Sequence, residues 1–352
     1  MNSAPGQDAY RASTLINYSA LKLFSVCPRL YYEQYVTKTY VEPERDYFVY
    51  GSLVDCMLTT PEQLTKRFVR VDRTVDVGNT LKYEQKIKDL TAELAEIRPK
   101  ADAGNKTAQK GVASRESEID ALKEKLSSIG AMKDRQQVTA GMWDDAEATA
   151  DAIKRNPSFA QLDFNSFTSQ QIFTDTVAGR KGILDYVAFG APVQTLYNLL
   201  KTNHISYEEF FAKVQEISEE NRTGWIWDVK TTALISSFDP SVYAGQLAWY
   251  REIVEAYTGI RCRCGIIAGD KDPSSKRSQD YVFSPALLEE ALKNVLAVEA
   301  AFKDCRASNA WIAAKEFRGT DQDCFRCSVC ADRPFSTTSP LVISGPLKLH
   351  KR

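Results

Sequence analysis

The sequence predicts an α/β fold, with a mixed central sheet flanked by helices and a helical hairpin inserted into it. Three observations carry this. Residues 171–177 and 182–189 alternate apolar and polar side chains and are joined by Ala178-Gly179-Arg180-Lys181, a hairpin signal. Two further apolar segments, 225–229 and 261–268, read as strands separated by a helix that opens at Asp239-Pro240. The order helix, hairpin, strand, helix, strand is that of an α/β core with a mixed sheet.

Taken in order, Ser19 can cap a helix over 20–35, interrupted at Pro28. A helix over 49–58 follows, and Thr60-Pro61 opens another. Ile87, Leu90, Leu94 and Ile97 form one helical stripe and Ile119, Leu122 and Leu126 a second, with a polar stretch over 100–111 between them. This makes 83–130 a charged helical hairpin insertion. It reads either as an arm that docks a partner or guides DNA, or as a coiled-coil insertion held by its own seam. A helix over 139–155 precedes the strands. Ser206 with Glu209 three residues on is a capping box, opening a helix to about 218 inside a second insertion, 190–222. Asp239-Pro240 starts a helix to about 257, and Ser284-Pro285 starts the last, to about 305. Residues 1–335 read as a single domain and 336–352 as a flexible tail.

Bulk composition limits the function classes. The chain has 352 residues, 43% of them hydrophobic, enough for a sizeable core. Its formal charge is −1, so any polyanion it binds must meet locally gathered basic residues. The N-terminus carries no apolar signal-type stretch, and no apolar run is long enough to span a bilayer, which makes the cytoplasm the expected location and excludes a membrane partner. Only two histidines, His204 and His350, are present, which argues against His-based hydrolysis. No phosphate-binding loop of the G-x-x-x-x-G-K-[ST] type exists, so no ATPase motor is expected.

One group of residues has the types that phosphodiester hydrolysis needs. Asp185 ends Gly182-Ile183-Leu184-Asp185 on the second hairpin strand. Asp228 and Lys230 are two apart on the next strand and share a face. Gln246 and Tyr250 are four apart on the following helix and also share a face. Carboxylates hold Mg²⁺ or Mn²⁺, the metal acidifies a bound water, and a lysine beside it can orient or deprotonate that water. Alone, Asp-x-Lys reads as an ion pair on a strand; its setting gives it weight. Arg29, Arg180-Lys181 and 271–277 are candidate phosphate contacts, with solvated surface charge as the other reading.

These motifs, in this order, resemble the PD-(D/E)XK nuclease superfamily, whose core is restriction-endonuclease-like. Closest is the RecB-like branch with the RecE-type phage exonucleases. Gly182 to Asp185 resembles its Asp motif, Asp228-Val229-Lys230-Thr231-Thr232 its (D/E)-x-K-T-T strand, and Gln246 to Tyr250 its Q-x-x-x-Y helix. Residues 50–58 resemble the upstream G-x-x-x-H helix, with Asp55 where the family has its metal-binding histidine. The similarity covers about 14–75 and 137–330. It implies a metal-dependent DNA exonuclease that processes DNA ends for phage recombination or repair, together with a recombination partner protein. Asp185, Asp228 and the Val229 carbonyl would hold metal, with Asp55 either a fourth ligand or a carboxylate on the helix surface. Lys230 would handle the water, and Gln246 and Tyr250 would position the site. Relatives include rings, which raises a homo-oligomer. The replacement at Asp55 also admits a nuclease-fold module that binds DNA without cutting it.

Cys324, Cys327 and Cys330 form a C-x₂-C-x₂-C run, the pattern that gives three thiolates to a [4Fe–4S] cluster, with Cys27 as the remote fourth. One cysteine before the nuclease motifs and three after them resembles the iron–sulfur members of the superfamily, the CRISPR-associated RecB-like and AddB nucleases, although the last spacing here is shorter. This layout also admits a CRISPR-adaptation-type nuclease. A structural Zn²⁺ site is the rival reading and three unliganded thiols the third. Cys56, Cys262, Cys264 and Cys305 read as small buried residues.

Overall fold

A computed structural model describes residues 9–10, 12–40, 46–71, 80–132, 135–160, 168–272 and 277–311. The main elements in chain order are α1 (Tyr18–Val26), α2 (Asp46–Thr59), β1 (Phe68–Val71), α3 (Thr80–Asp102), α4 (Lys106–Met132), β2 (Gln136–Thr139), α5 (Ala140–Lys154), β3 (Thr168–Asp175), β4 (Arg180–Phe189), α6 (Ala191–Lys201), α7 (Tyr207–Glu216), β5 (Gly224–Thr232), α8 (Ala244–Thr258), β6 (Arg263–Asp270), β7 (Ser278–Val282) and α9 (Pro285–Ser308). The chain divides into two compact units, Pro61–Ala146 and the remainder.

The larger unit is built on a five-stranded sheet of order β3-β4-β5-β6-β7. β3–β4, β4–β5 and β6–β7 pair antiparallel, whereas β5–β6 pair parallel through α8. The sheet is therefore mixed and flanked by helices, as the sequence predicts. Its core gathers Phe24 of α1, Leu184 and Val187 of β4, Ile226 of β5, Leu247 and Trp249 of α8, Ile266 of β6 and Phe302 of α9. Nine-tenths or more of each of these side chains is withdrawn from water, the dominant favourable term in folding. Gly265 exists because Trp227 lies against β6: a Cβ there would meet the indole at 2.2 Å.

The smaller unit contains the short parallel pair β1–β2 and the helical hairpin α3–α4. The hairpin is held by Leu90, Leu94, Ile119 and Leu122. Ion pairs Lys86–Glu118 (2.5 Å), Arg115–Glu93 (2.7 Å) and Arg98–Glu116 set it antiparallel. The polar stretch expected over 100–111 is mostly helical, and only 103–105 turn. Gly104, at φ 87°, supplies the left-handed residue of that turn.

Other expectations are corrected in detail. The cap of α1 is Asn17, not Ser19: its Oδ1 accepts the Ala20 N–H at 2.7 Å. After Val26 the first helix continues as a short turn, Pro28–Tyr31, and a π-helix, Tyr32–Val36. Asp239-Pro240 begins a 3₁₀ turn, Pro240–Tyr243, before α8 starts. β1, β2, β7 and α6 were not expected at all. Ser206 does cap α7, accepting from Glu209 N–H at 3.1 Å, while the Glu209 carboxylate pairs with Lys213.

Candidate active site

The site forms where the β4–β5 ladder opens. Its last paired residues are Tyr186 and Trp227; one step beyond, the register brings Asp185 and Asp228 face to face. The Asp185 carboxylate turns into the gap and accepts the Val229 N–H at 2.9 Å. Asp228 is buried, with 2% of its surface exposed. Its Oδ2 lies 2.5 Å from Lys230 Nζ, two residues along the same strand face. Its Oδ1 accepts from Gln246 Nε2 at 3.3 Å, and the same amide lies 3.0 Å from the Tyr250 hydroxyl. One turn of α8 thus places Gln246 on Asp228 and Tyr250 on Gln246, as the four-residue spacing requires. Gly182 makes room for this: a Cβ there would sit 3.0 Å from the Tyr250 ring.

Asp55 arrives from α2. Gln170 Nε2 bridges it to the pair, 3.4 Å from Asp55 Oδ1 and 3.4 Å from Asp185 Oδ1. Gln170 stands at φ 50°, the left-handed region that non-glycine residues seldom adopt. Ser169 beside it donates to the Thr59 carbonyl at 2.8 Å, tying β3 to the end of α2. Sequence reasoning missed Gln170, because neither its backbone angle nor a partner 115 residues away leaves a local pattern.

The electrostatics follow from crowding three carboxylates. Burial, then repulsion from Asp228 and Asp55, push the Asp185 carboxyl well above its ordinary range, with Lys230 and the Val229 N–H opposing. For Lys230 burial favours the neutral amine, but the charges of Asp228 and Asp185 outweigh it and raise the ammonium above its usual value. Burial and the nearby Asp228 also raise the Tyr250 phenol, which stays protonated.

Asp55, Asp185, Asp228, Val229, Lys230, Gln246 and Tyr250 are therefore brought together. The carboxylates are hard oxygen donors of the kind that hold Mg²⁺ or Mn²⁺. Among the described residues, however, no three His, Cys, Asp or Glu side chains already converge as a closed metal-holding group; the Gln170 amide stands between two of the acids.

The expected phosphate contacts divide. Arg180 is turned inward on Glu299, at 3.1 and 2.7 Å, and Lys181 is buried with its Nζ on the carbonyls of Tyr10 and Ser13. Both cations are thus engaged by partners within the protein and not free on the hairpin surface. Arg29 is paired with Glu33 at 3.3 Å, and Lys271 Nζ lies over the Tyr50 ring at 4.9 Å. Cys27 is buried and caps the Pro28–Tyr31 turn, accepting from the Leu30 N–H at 3.4 Å. Cys324, Cys327 and Cys330 lie outside the described residues, as does His350. Cys56, Cys262, Cys264 and Cys305 are buried, as expected.

No protein-family model matches the chain, and no curated protein matches it. No described helix is long and apolar enough to cross a membrane. A crystal structure from Eubacterium rectale, described as that of a candidate exonuclease, superposes on the chain with a TM-score of 0.51 at 15% identity, covering 96% of each chain. At that identity the likeness is one of fold, and the fold it shares is the mixed sheet flanked by helices.

Proposed function

We propose that this protein is a divalent-metal-dependent DNA nuclease of the PD-(D/E)XK superfamily, acting as an exonuclease of RecB-like and RecE-like type on DNA ends. The observation that carries the reading is Asp185 opposite Asp228 at the opened β4–β5 ladder, with Lys230 ion-paired to Asp228 and Gln246–Tyr250 behind it. The exonuclease description of the Eubacterium rectale protein agrees with it.

Asp185, Asp228, the Val229 carbonyl and Asp55 would hold Mg²⁺ or Mn²⁺, which supplies an acidified water and neutralises charge on the phosphate. The raised Asp185 carboxyl fits this use, since it marks a place with more negative charge than the protein neutralises. Lys230, ion-paired to Asp228 at 2.5 Å, would orient the attacking water and donate to the phosphate. Gln246 holds Asp228 in orientation, and Tyr250 backs Gln246. Gln170 would leave its place between Asp55 and Asp185 for both to ligate.

The test is linear DNA with Mn²⁺. Wild-type protein cleaves it, and Lys230→Ala loses about 10²–10³-fold in rate, the usual cost of removing one such donor. Full cleavage by Lys230→Ala would overturn the reading. DNA retention without cleavage under either metal would favour the binding module instead, a reading supported by the Gln170 amide between the acids.

Cys27 with Cys324, Cys327 and Cys330 is proposed to hold a structural [4Fe–4S] cluster, by the spacing of the last three. Anaerobic purification tests this: brown protein with about four irons per chain supports it, and colourless protein with one zinc replaces it.

A further inference from the structure

Three residues back along the β5–β6 ladder from Asp228, the structure carries a second polar site that the nuclease reading does not use. Arg251 of α8 is 2% exposed, and its Nε and Nη2 are buried without a hydrogen-bond partner. A buried guanidinium is normally paired, so two orphaned nitrogens mark the place of a missing acceptor. The side chain lines a cavity of about 480 Å³, together with Arg261 and Arg263.

The surrounding charges do not supply that acceptor. Glu255 holds Arg261 at 2.6 Å, while Glu252 and Glu289 lie 3.7 Å from it, beyond hydrogen-bond distance; none of the three is paired with Arg251, although Glu252 Oε1 is itself buried without a hydrogen-bond partner. Arg263 lies with its guanidinium 4.3 Å over the Trp225 ring, and no ion pair joins it to a described carboxylate. Two guanidinium groups are thus left facing one cavity. The N-terminus of α9 opens on the same space: Ser284, its cap, lines the wall, and the 24-residue helix behind it adds partial positive charge. Phe283 and Leu288 add apolar surface to the lining.

Guanidinium forks with a helix N-terminus suit a tetrahedral oxyanion, and the volume falls in the range of about 300–1,000 Å³ typical of small-molecule sites. We propose that this cavity binds a phosphate monoester of mononucleotide size, with the phosphate on Arg251 and Arg263 and the organic part against Phe283 and Leu288. The inference does not depend on the nuclease reading.

The probe is dTMP, titrated calorimetrically into the full chain in EDTA, with thymidine as the uncharged control. dTMP should bind at least about tenfold more tightly than thymidine, and Arg251→Met should lose at least about tenfold in affinity. Arg263→Ala, on the rim, keeps the fold and should lose several-fold; it decides the matter if Arg251→Met does not fold. Asp185→Asn should leave the affinity unchanged. Displacement of dTMP by an oligonucleotide with a 5′-phosphate, but not by one with a 5′-hydroxyl, would assign the phosphate to a DNA end; failure of both to displace it would assign it to a free small molecule. Wild-type protein binding dTMP no better than thymidine would overturn the proposal. So would binding that survives Arg263→Ala but vanishes in Asp185→Asn.

Discussion

Gln170 Nε2 lies 3.4 Å from Asp185 Oδ1, and the same nitrogen lies 3.4 Å from Asp55 Oδ1. One amide therefore stands between two carboxylates, on a residue held at φ 50°. An amide carries donors but no charge, so it relieves the repulsion only in part. Gln170→Glu would place a third carboxylate between them and should destabilise the protein in EDTA by about 1–3 kcal/mol at neutral pH. If a divalent cation binds there, Mn²⁺ should recover more stability in the variant than in wild type. Thermal unfolding with and without Mn²⁺ measures both. Equal melting temperatures in EDTA would refute the electrostatic account.

Asp185 gives the complementary prediction. Burial, Asp228 and Asp55 raise its carboxyl in the folded state. A group raised on folding contributes stability that is complete below its unfolded value, near about 3.9, and is lost as pH climbs through the folded value. At neutral pH the ionised side chain is therefore a liability to the metal-free fold. Asp185→Asn keeps an acceptor for the Val229 N–H and removes the charge, so it should raise stability by about 1–2 kcal/mol at pH 7. The gain should shrink towards pH 4. Cleavage should be abolished in the same variant. Urea unfolding across pH is the measurement, and a destabilised Asp185→Asn at pH 7 would count against the assigned repulsion.

Gly182 tests how tightly the positioning pair is packed. A Cβ at 182 would come within 3.0 Å of two carbons of the Tyr250 ring. Overpacking of this kind costs about 1–3 kcal/mol. The ring must shift, and the 3.0 Å contact from Gln246 goes with it. Gly182→Ala should therefore fold with a lowered melting temperature and cleave DNA at least about tenfold more slowly, since small misplacements in a site are costly. Wild-type activity in this variant would show that Tyr250 is not needed where it stands.

What could be read in the sequence was what has a period. β3 to β6 and α8 follow from alternation and capping signals, and so does the alignment of Asp228 with Lys230 and of Gln246 with Tyr250. What escaped depends on distant partners or on short elements. Arg180 and Lys181 look like surface cations until Glu299, Tyr10 and Ser13 are placed around them, more than 100 residues away in the chain. Four-residue strands such as β1 and β2 offer too few positions for a pattern. β7 is half-exposed along its length. α6 was legible: Val193, Leu196, Tyr197 and Leu200 have helical spacing and pack on the core. Arg251 gave no signal, because nothing in a helical sequence shows which arginine will be buried.

Glu299 shows what those distant partners contribute. It is 3% exposed and receives Arg180 through both carboxylate oxygens, with Lys303 Nζ at 3.0 Å. Burial alone would raise its carboxyl, but the hydrogen bonds and charges of Arg180 and Lys303 prevail and hold it below the ordinary range. A depressed carboxyl contributes stability above its unfolded value, near about 4.3, and loses it as pH falls through the folded value. Glu299→Gln leaves Arg180 nearly buried, with a neutral amide oxygen and the Trp249 ring, 5.1 Å away, where it had a carboxylate. Breaking such a pair costs about 3–5 kcal/mol when both partners are fully buried; because Arg180 keeps 13% of its surface in water, about 2–3 kcal/mol is expected at pH 7. Protonation of the wild-type carboxylate removes the same advantage, so the gap between the two proteins should begin to close as pH falls below about 4.3 and keep narrowing at lower pH. Parallel urea unfolding curves at pH 7, 5 and 3.5 would decide: a gap that persists undiminished at the lowest pH would mean that Glu299 acts through packing, not charge.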